Sequence, residues 1–182
     1  MSWRPLLRVS AALLLGGCTV VEYRYPASWD ALPPAPQGCA QLAGTYSDRG
    51  EAGAEASETP SLAYQLFGPN SPWEKAASVK LELPNAESLV VTVSDSSGPI
   101  VSRLLKVSAD EFACKAGRLV VRGKRWIATD LVTGRQGFVV ELAAAPRYLV
   151  AKVNEETYGT LFVVVPIAGT AQHWYRFART GS

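Results

Sequence analysis

The amino-acid sequence predicts an all-β fold: a single antiparallel β-sandwich or small closed barrel of eight to ten strands, with little helix. Three observations predict it. Apolar and polar residues alternate with period two in one short run after another, clusters of Gly, Pro, Asn and Asp punctuate the runs, and no window carries a 3.6-residue apolar stripe of helical length.

In chain order, the first run is 62–67 (LAYQLF), closed by Gly68-Pro69-Asn70. A single helical turn is expected at 72–77 (PWEKAA). Val79-Lys80-Leu81-Glu82-Leu83 alternates cleanly and stops at Pro84-Asn85, and Leu89-Val90-Val91-Thr92-Val93 is β-branched and ends before Asp95-Ser96-Ser97-Gly98-Pro99. Further strands are expected at 100–107, 118–122, 147–153 and 173–177, and Phe138, Val140 and Leu142 share one face with Glu141 on the other. The run 161–165 (LFVVV) is apolar on both faces, which suits a strand covered on both sides. The stretch 47–60 is acidic and rich in Gly and Ala, and reads as a surface loop.

Composition narrows the functional classes. The chain has 182 residues, a formal net charge of +2, 48% hydrophobic residues, three Cys and one His. That balance gives no general field for nucleic acid, and the apolar content is too high for a disordered chain. One His and three Cys build neither a multi-His metal site nor a disulfide-dense scaffold, so no metal or other cofactor is expected.

The first eighteen residues have the three parts of a secretory signal. Arg4 and Arg8 lie in an n-region without acids, Val9 to Leu15 is apolar, and small residues lead to Cys18. The apolar run is too short to span a membrane, which takes roughly 20 residues. The junction Leu15-Gly16-Gly17-Cys18 resembles the lipobox of bacterial lipoproteins. That resemblance implies a diacylglyceryl thioether on Cys18, cleavage before it, and acylation of the new amino group by palmitate or a similar chain. Two or three chains at about 0.8 kcal/mol per buried methylene make a durable anchor. Thr19 stands where this family commonly carries Asp when retained in the inner membrane, so the outer membrane is expected, with the domain facing the periplasm or the cell surface. A transmembrane barrel is the competing all-β reading, but a lipid anchor would then be redundant and no repeating aromatic girdle is visible.

Three segments result: a signal at 1–17, a lipidated N terminus and Pro-rich tether at 18–38, and an all-β domain at 39–182. Removing 17 residues from 182 leaves 165, and losing Arg4 and Arg8 from 18 basic residues leaves 16 against 16 acids. The mature chain is electrically balanced. Pro26, Pro33, Pro34 and Pro36 bias the tether toward extended geometry, which at about 3.1 Å per residue could reach on the order of 60 Å. Tyr23, Tyr25 and Trp29 in it are candidates for docking on the domain. With Cys18 taken by lipid, Cys39 and Cys114 form an even pair in an oxidising compartment, and a disulfide between them is expected.

Catalytic signatures are scarce: G-x-S-x-G, a Ser-Lys acyl-transfer motif, H-E-x-x-H and a P-loop do not occur. His173 lies among aromatics in a terminal strand and reads as a packing residue, so the chain is not expected to be an enzyme. Lys115, Arg118, Arg122, Lys124 and Arg125 form an acid-free basic stretch that could touch an anionic envelope surface, the commoner explanations of such a stripe being a solvated strand face with its turn or edge protection against aggregation. Gly44-Thr45-Tyr46 and Arg176 resemble the lipocalin closure, in which a Gly-x-Trp on the first strand packs against an Arg of the last. That resemblance implies a Tyr46–Arg176 contact and a cavity for a small apolar ligand. The expected function is therefore a membrane-anchored, non-catalytic binding or interaction module for an envelope protein or glycan. The alternatives are a lipocalin-like carrier or, with less support, an envelope hydrolase.

Overall fold

The structure, a computed structural model, describes residues 18–34, 38–53, 59–69, 73–129, 131–162 and 165–181. The signal at 1–17 lies outside the described residues, as do 54–58 of the acidic loop. The chain folds as an antiparallel, barrel-like sheet that nearly closes on itself.

The strands are β1 (Cys18–Glu22), β2 (Gly44–Ser47), β3 (Glu51–Ala52), β4 (Ser78–Asn85), β5 (Ser88–Asp95), β6 (Gly98–Lys106), β7 (Phe112–Lys115), β8 (Arg118–Ala128), β9 (Val132–Ala144), β10 (Tyr148–Leu161) and β11 (Val165–Gly181). Their order is β6-β5-β4-β2-β11-β10-β9-β8-β7, a meander closed by the pairing of β11 with β2. The last strand is long enough to serve three partners along its second edge. Residues 168–172 pair in parallel with β1, Tyr175 and Arg176 with β3, and Arg179 and Gly181 with β2. The two free ends of the sheet, β6 and β7, are joined by a short 3-10 turn at Val107–Ala109, where the Glu111 carboxylate accepts from the Lys106 N–H at 3.0 Å and from Arg103 at 3.4 Å.

The alternation read from sequence holds where it is strongest. Val79 and Leu81 in β4, Leu89, Val91 and Val93 in β5, and Phe138, Val140 and Leu142 in β9 all point into one core. Tyr46, Phe112 and Phe177 are fully enclosed in the same cluster. These side chains form one buried cluster inside the sheet.

Two expectations are corrected. The run at 62–67 is a helix, α1 (Leu62–Phe67), because its flanks cap it. The Ser61 hydroxyl accepts from the Tyr64 N–H at 3.1 Å, Gly68 ends it with φ 83°, and Leu62, Ala63 and Leu66 face the core. The fully buried Asp48 holds that start, its Oδ1 accepting from Ala63 N at 2.8 Å and from Ser61 Oγ at 3.0 Å. Its Oδ2 has no hydrogen-bond partner, and burial pushes the carboxyl above its ordinary pKa against the lowering effect of those bonds. Secondly, the doubly apolar 161–165 is not one covered strand. Leu161 ends β10, Val165 opens β11, and Phe162 after Leu161 has φ 51° and is 60% exposed, while 163–164 lie outside the described residues. The single turn expected at 72–77 is a 3-10 turn at Trp73–Lys75.

Cys39 and Cys114 form a disulfide with a Cα–Cα distance of 5.9 Å, 75 residues apart. It ties the segment entering β2 to β7, the strand on one side of the seam.

Candidate functional site

The N-terminal stretch does not stand off from the domain. Cys18 is the first residue of β1, opposite Ala168 in the register. Beyond β1, the Tyr23 carbonyl accepts from Trp174 Nε1 at 3.0 Å and from Gln172 Nε2 at 2.9 Å, and Tyr25 meets Trp29 and Trp174 edge to face. Arg176 lies over the Trp29 ring at 4.9 Å. The aromatics named from sequence thus dock on β11, and the free reach from Cys18 to the barrel is far shorter than an extended tether would allow.

Following the register from Cys18 across the sheet gives one row: Cys18, Ala168, Tyr158, Arg135 and Trp126. Of these, the directly paired Ala168, Tyr158, Arg135 and Trp126 share a face, and Tyr158 and Trp126 are 60% and 56% exposed. The next row on that face is Val20, Thr170, Glu156, Gly137 and Lys124, with Val20 exposed. Exposed Leu131 and Phe162 sit in the two turns at the same end, joined by the Phe162 N–H donating to the Leu131 carbonyl at 2.8 Å. Gly134 faces Gly159 in the register, and a Cβ on Gly134 would meet the Tyr158 carbonyl oxygen at 2.3 Å. Only glycine lets β9 and β10 approach so closely there.

Sequence reasoning missed this exposed group, although its signal was present. Trp126 has the same parity along β8 as Arg118 and Arg122, so it falls on the polar face, where a large aromatic is unexpected.

The basic stretch is divided. Arg118 pairs with Glu141 at 3.6 Å and Arg122 with Asp110 at 3.0 Å on the outer face. Lys115 and Lys124 are exposed. Arg125 points inward, with its guanidinium over the rings of Tyr64 at 5.1 Å and Phe138 at 5.5 Å, a 2.5 Å ion pair to Glu155 and a hydrogen bond to Gln136. The five cations therefore do not make one surface, since three are paired and one of those is enclosed. Nearby, burial first and Glu155 second push the Tyr175 hydroxyl up to about 12.

The expected Tyr46–Arg176 contact is also corrected. Arg179, three residues on, lies over the Tyr46 ring at 5.4 Å and donates to the Tyr46 hydroxyl at 2.9 Å and to the carbonyls of Gln41 and Ala43 at 2.8 and 2.7 Å. Arg176 instead bonds Glu51 at 2.5 Å and stacks over Tyr148 and Trp29. The reason is register: Arg179 is the residue opposite Tyr46, whereas Arg176 is opposite Glu51 of β3. His173 lies against the rings of Tyr23 at 5.2 Å and Tyr175 at 6.0 Å.

Open surface hollows lie among the described residues. One of about 300 Å³ runs along β1, β10 and β11 beside Val20 and Glu22, and one of about 210 Å³ lies between Pro33, Pro34 and Arg118. No family model, curated protein or solved structure matches the chain.

Proposed function

We propose that the protein is a lipoprotein anchored in the outer membrane through Cys18, and that it acts as a non-catalytic interaction module in the bacterial envelope. The observation that carries the second half is the packed core. Tyr46, Phe112, Phe177 and the leucines and valines of six strands make one buried cluster inside the sheet, which supports a role at the surface over that of a carrier. His173, lying against Tyr23 and Tyr175, fits a packing role better than that of a base. The anchor half rests on the lipobox-like junction and on Cys18 lying at the end of an edge strand.

Density fractionation of envelopes tests the reading. The native protein is expected with the outer membrane, and Cys18→Ala is expected to leave it. Native protein found in the soluble fraction, or an unchanged distribution of the variant, would overturn the anchor. A stoichiometric small apolar molecule released from purified protein by denaturation would favour the carrier instead.

A further inference from the structure

We infer that the projecting end of strands β8 to β11 is a membrane seat: its exposed aromatic side chains rest in the interfacial layer of the leaflet that holds the Cys18 acyl chains. The inference rests on the anchor reading above and deepens it.

Position carries the first part of the argument. Of the seven exposed large apolar residues among the described residues, Val20, Trp126, Leu131, Tyr158 and Phe162 gather at one end, on β1 and on the two adjoining hairpin ends, while Leu104 and Val107 lie on β6 and the turn after it. Cys18 shares a cross-strand row with Tyr158 and Trp126. With neighbouring strands about 4.8 Å apart, Tyr158 lies about 10 Å and Trp126 about 20 Å from Cys18 across the sheet. Because β1 is hydrogen-bonded to β11 and the chain after it is clamped by Trp174 and Gln172, acyl chains on Cys18 cannot enter a bilayer without bringing this end to its surface.

Chemistry carries the second part. Trp and Tyr present an apolar body and a polar tip, which suits the headgroup level of a bilayer. In the two rows described, exposed Arg135 and Lys124 stand against one exposed carboxylate, Glu156, leaving a small positive excess toward anionic headgroups. Turn residues such as Leu131 and Phe162 reach furthest from the barrel, where apolar side chains exposed to water would otherwise be a liability.

Depth-resolved quenching tests this. The lipidated full-length protein is purified from envelopes and reconstituted into vesicles of phosphatidylethanolamine and phosphatidylglycerol with brominated acyl chains, and an intact mass is recorded on the same sample. Tryptophan emission is expected to be quenched, with that quenching lost in Trp126→Phe and weakened in the double variant Tyr158→Ser, Phe162→Ser. Trp73, enclosed in the core, reports that the variants remain folded. An acylated protein whose quenching is unchanged by Trp126→Phe overturns the seat and leaves the anchor standing, and the same holds if Trp126 is shielded by a second copy of the chain. A mass without acyl groups overturns the anchor and the seat with it.

Discussion

The same four strands behave differently at their two ends. In β10, Leu149, Val150, Ala151 and Val153 are buried, paired with a β11 whose Phe177 is fully enclosed. Beyond Asn154 the strand carries Glu156, Tyr158 and Thr160 on its outer face, with Tyr158 open to solvent. The closed half is held by a packed core, a disulfide and Arg179 bridging three groups around β2, whereas the projecting half has a glycine-on-glycine contact and exposed aromatics. Strand continuity thus transmits rigidity from a packed region to one that has little core of its own. The projecting end is exposed, and the barrel supplies its stability.

Changes in the closed half should therefore be costly and those at the projecting end nearly silent in stability. The largest effect is expected from Phe177→Ala, which empties the centre of the core and should cost about 3–5 kcal/mol in denaturant unfolding. Removing the disulfide with Cys39→Ser and Cys114→Ser frees a loop of 75 residues and should cost up to about 4 kcal/mol in the chain-entropy model. Alkaline titration sharpens the boundary between the halves. Tyr175 holds its proton more tightly folded than unfolded, so its contribution is complete below pH 10 and fades as the pH rises toward about 12. Tyr175→Phe is expected to flatten the stability profile in that window, which circular dichroism would follow. Phe162→Ser or Trp126→Ser should change stability by less than about 0.5 kcal/mol. A loss comparable to that of Phe177→Ala would break the comparison, because it would mean the projecting end has a core of its own.

Much of the barrel was legible in the sequence because period-two alternation and turn residues are local signals. Val79 to Leu83 and Leu89 to Val93 are strands whose inward residues were identifiable from parity alone. The helix at 62–67 was obscured because the apolar content of LAYQLF suits a strand as well. The deciding signals were its caps, Ser61 before it and Gly68 after it. LFVVV at 161–165 was mistaken for a covered strand because apolar composition does not distinguish a buried position from a turn exposed at the end of a hairpin. The Tyr46 partner was missed by three residues, since which arginine of β11 faces β2 depends on a long-range register that no local pattern contains. The disulfide was deducible by counting once Cys18 was set aside.

The account stands most directly on Cys18. Under the proposed anchor, mass spectrometry of the protein taken from the cells that make it is predicted to show a chain that begins at Cys18 and carries a diacylglyceryl group and, on the amino terminus, a further acyl chain. A chain that begins at another residue, or one that begins at Cys18 with a free thiol, would contradict it.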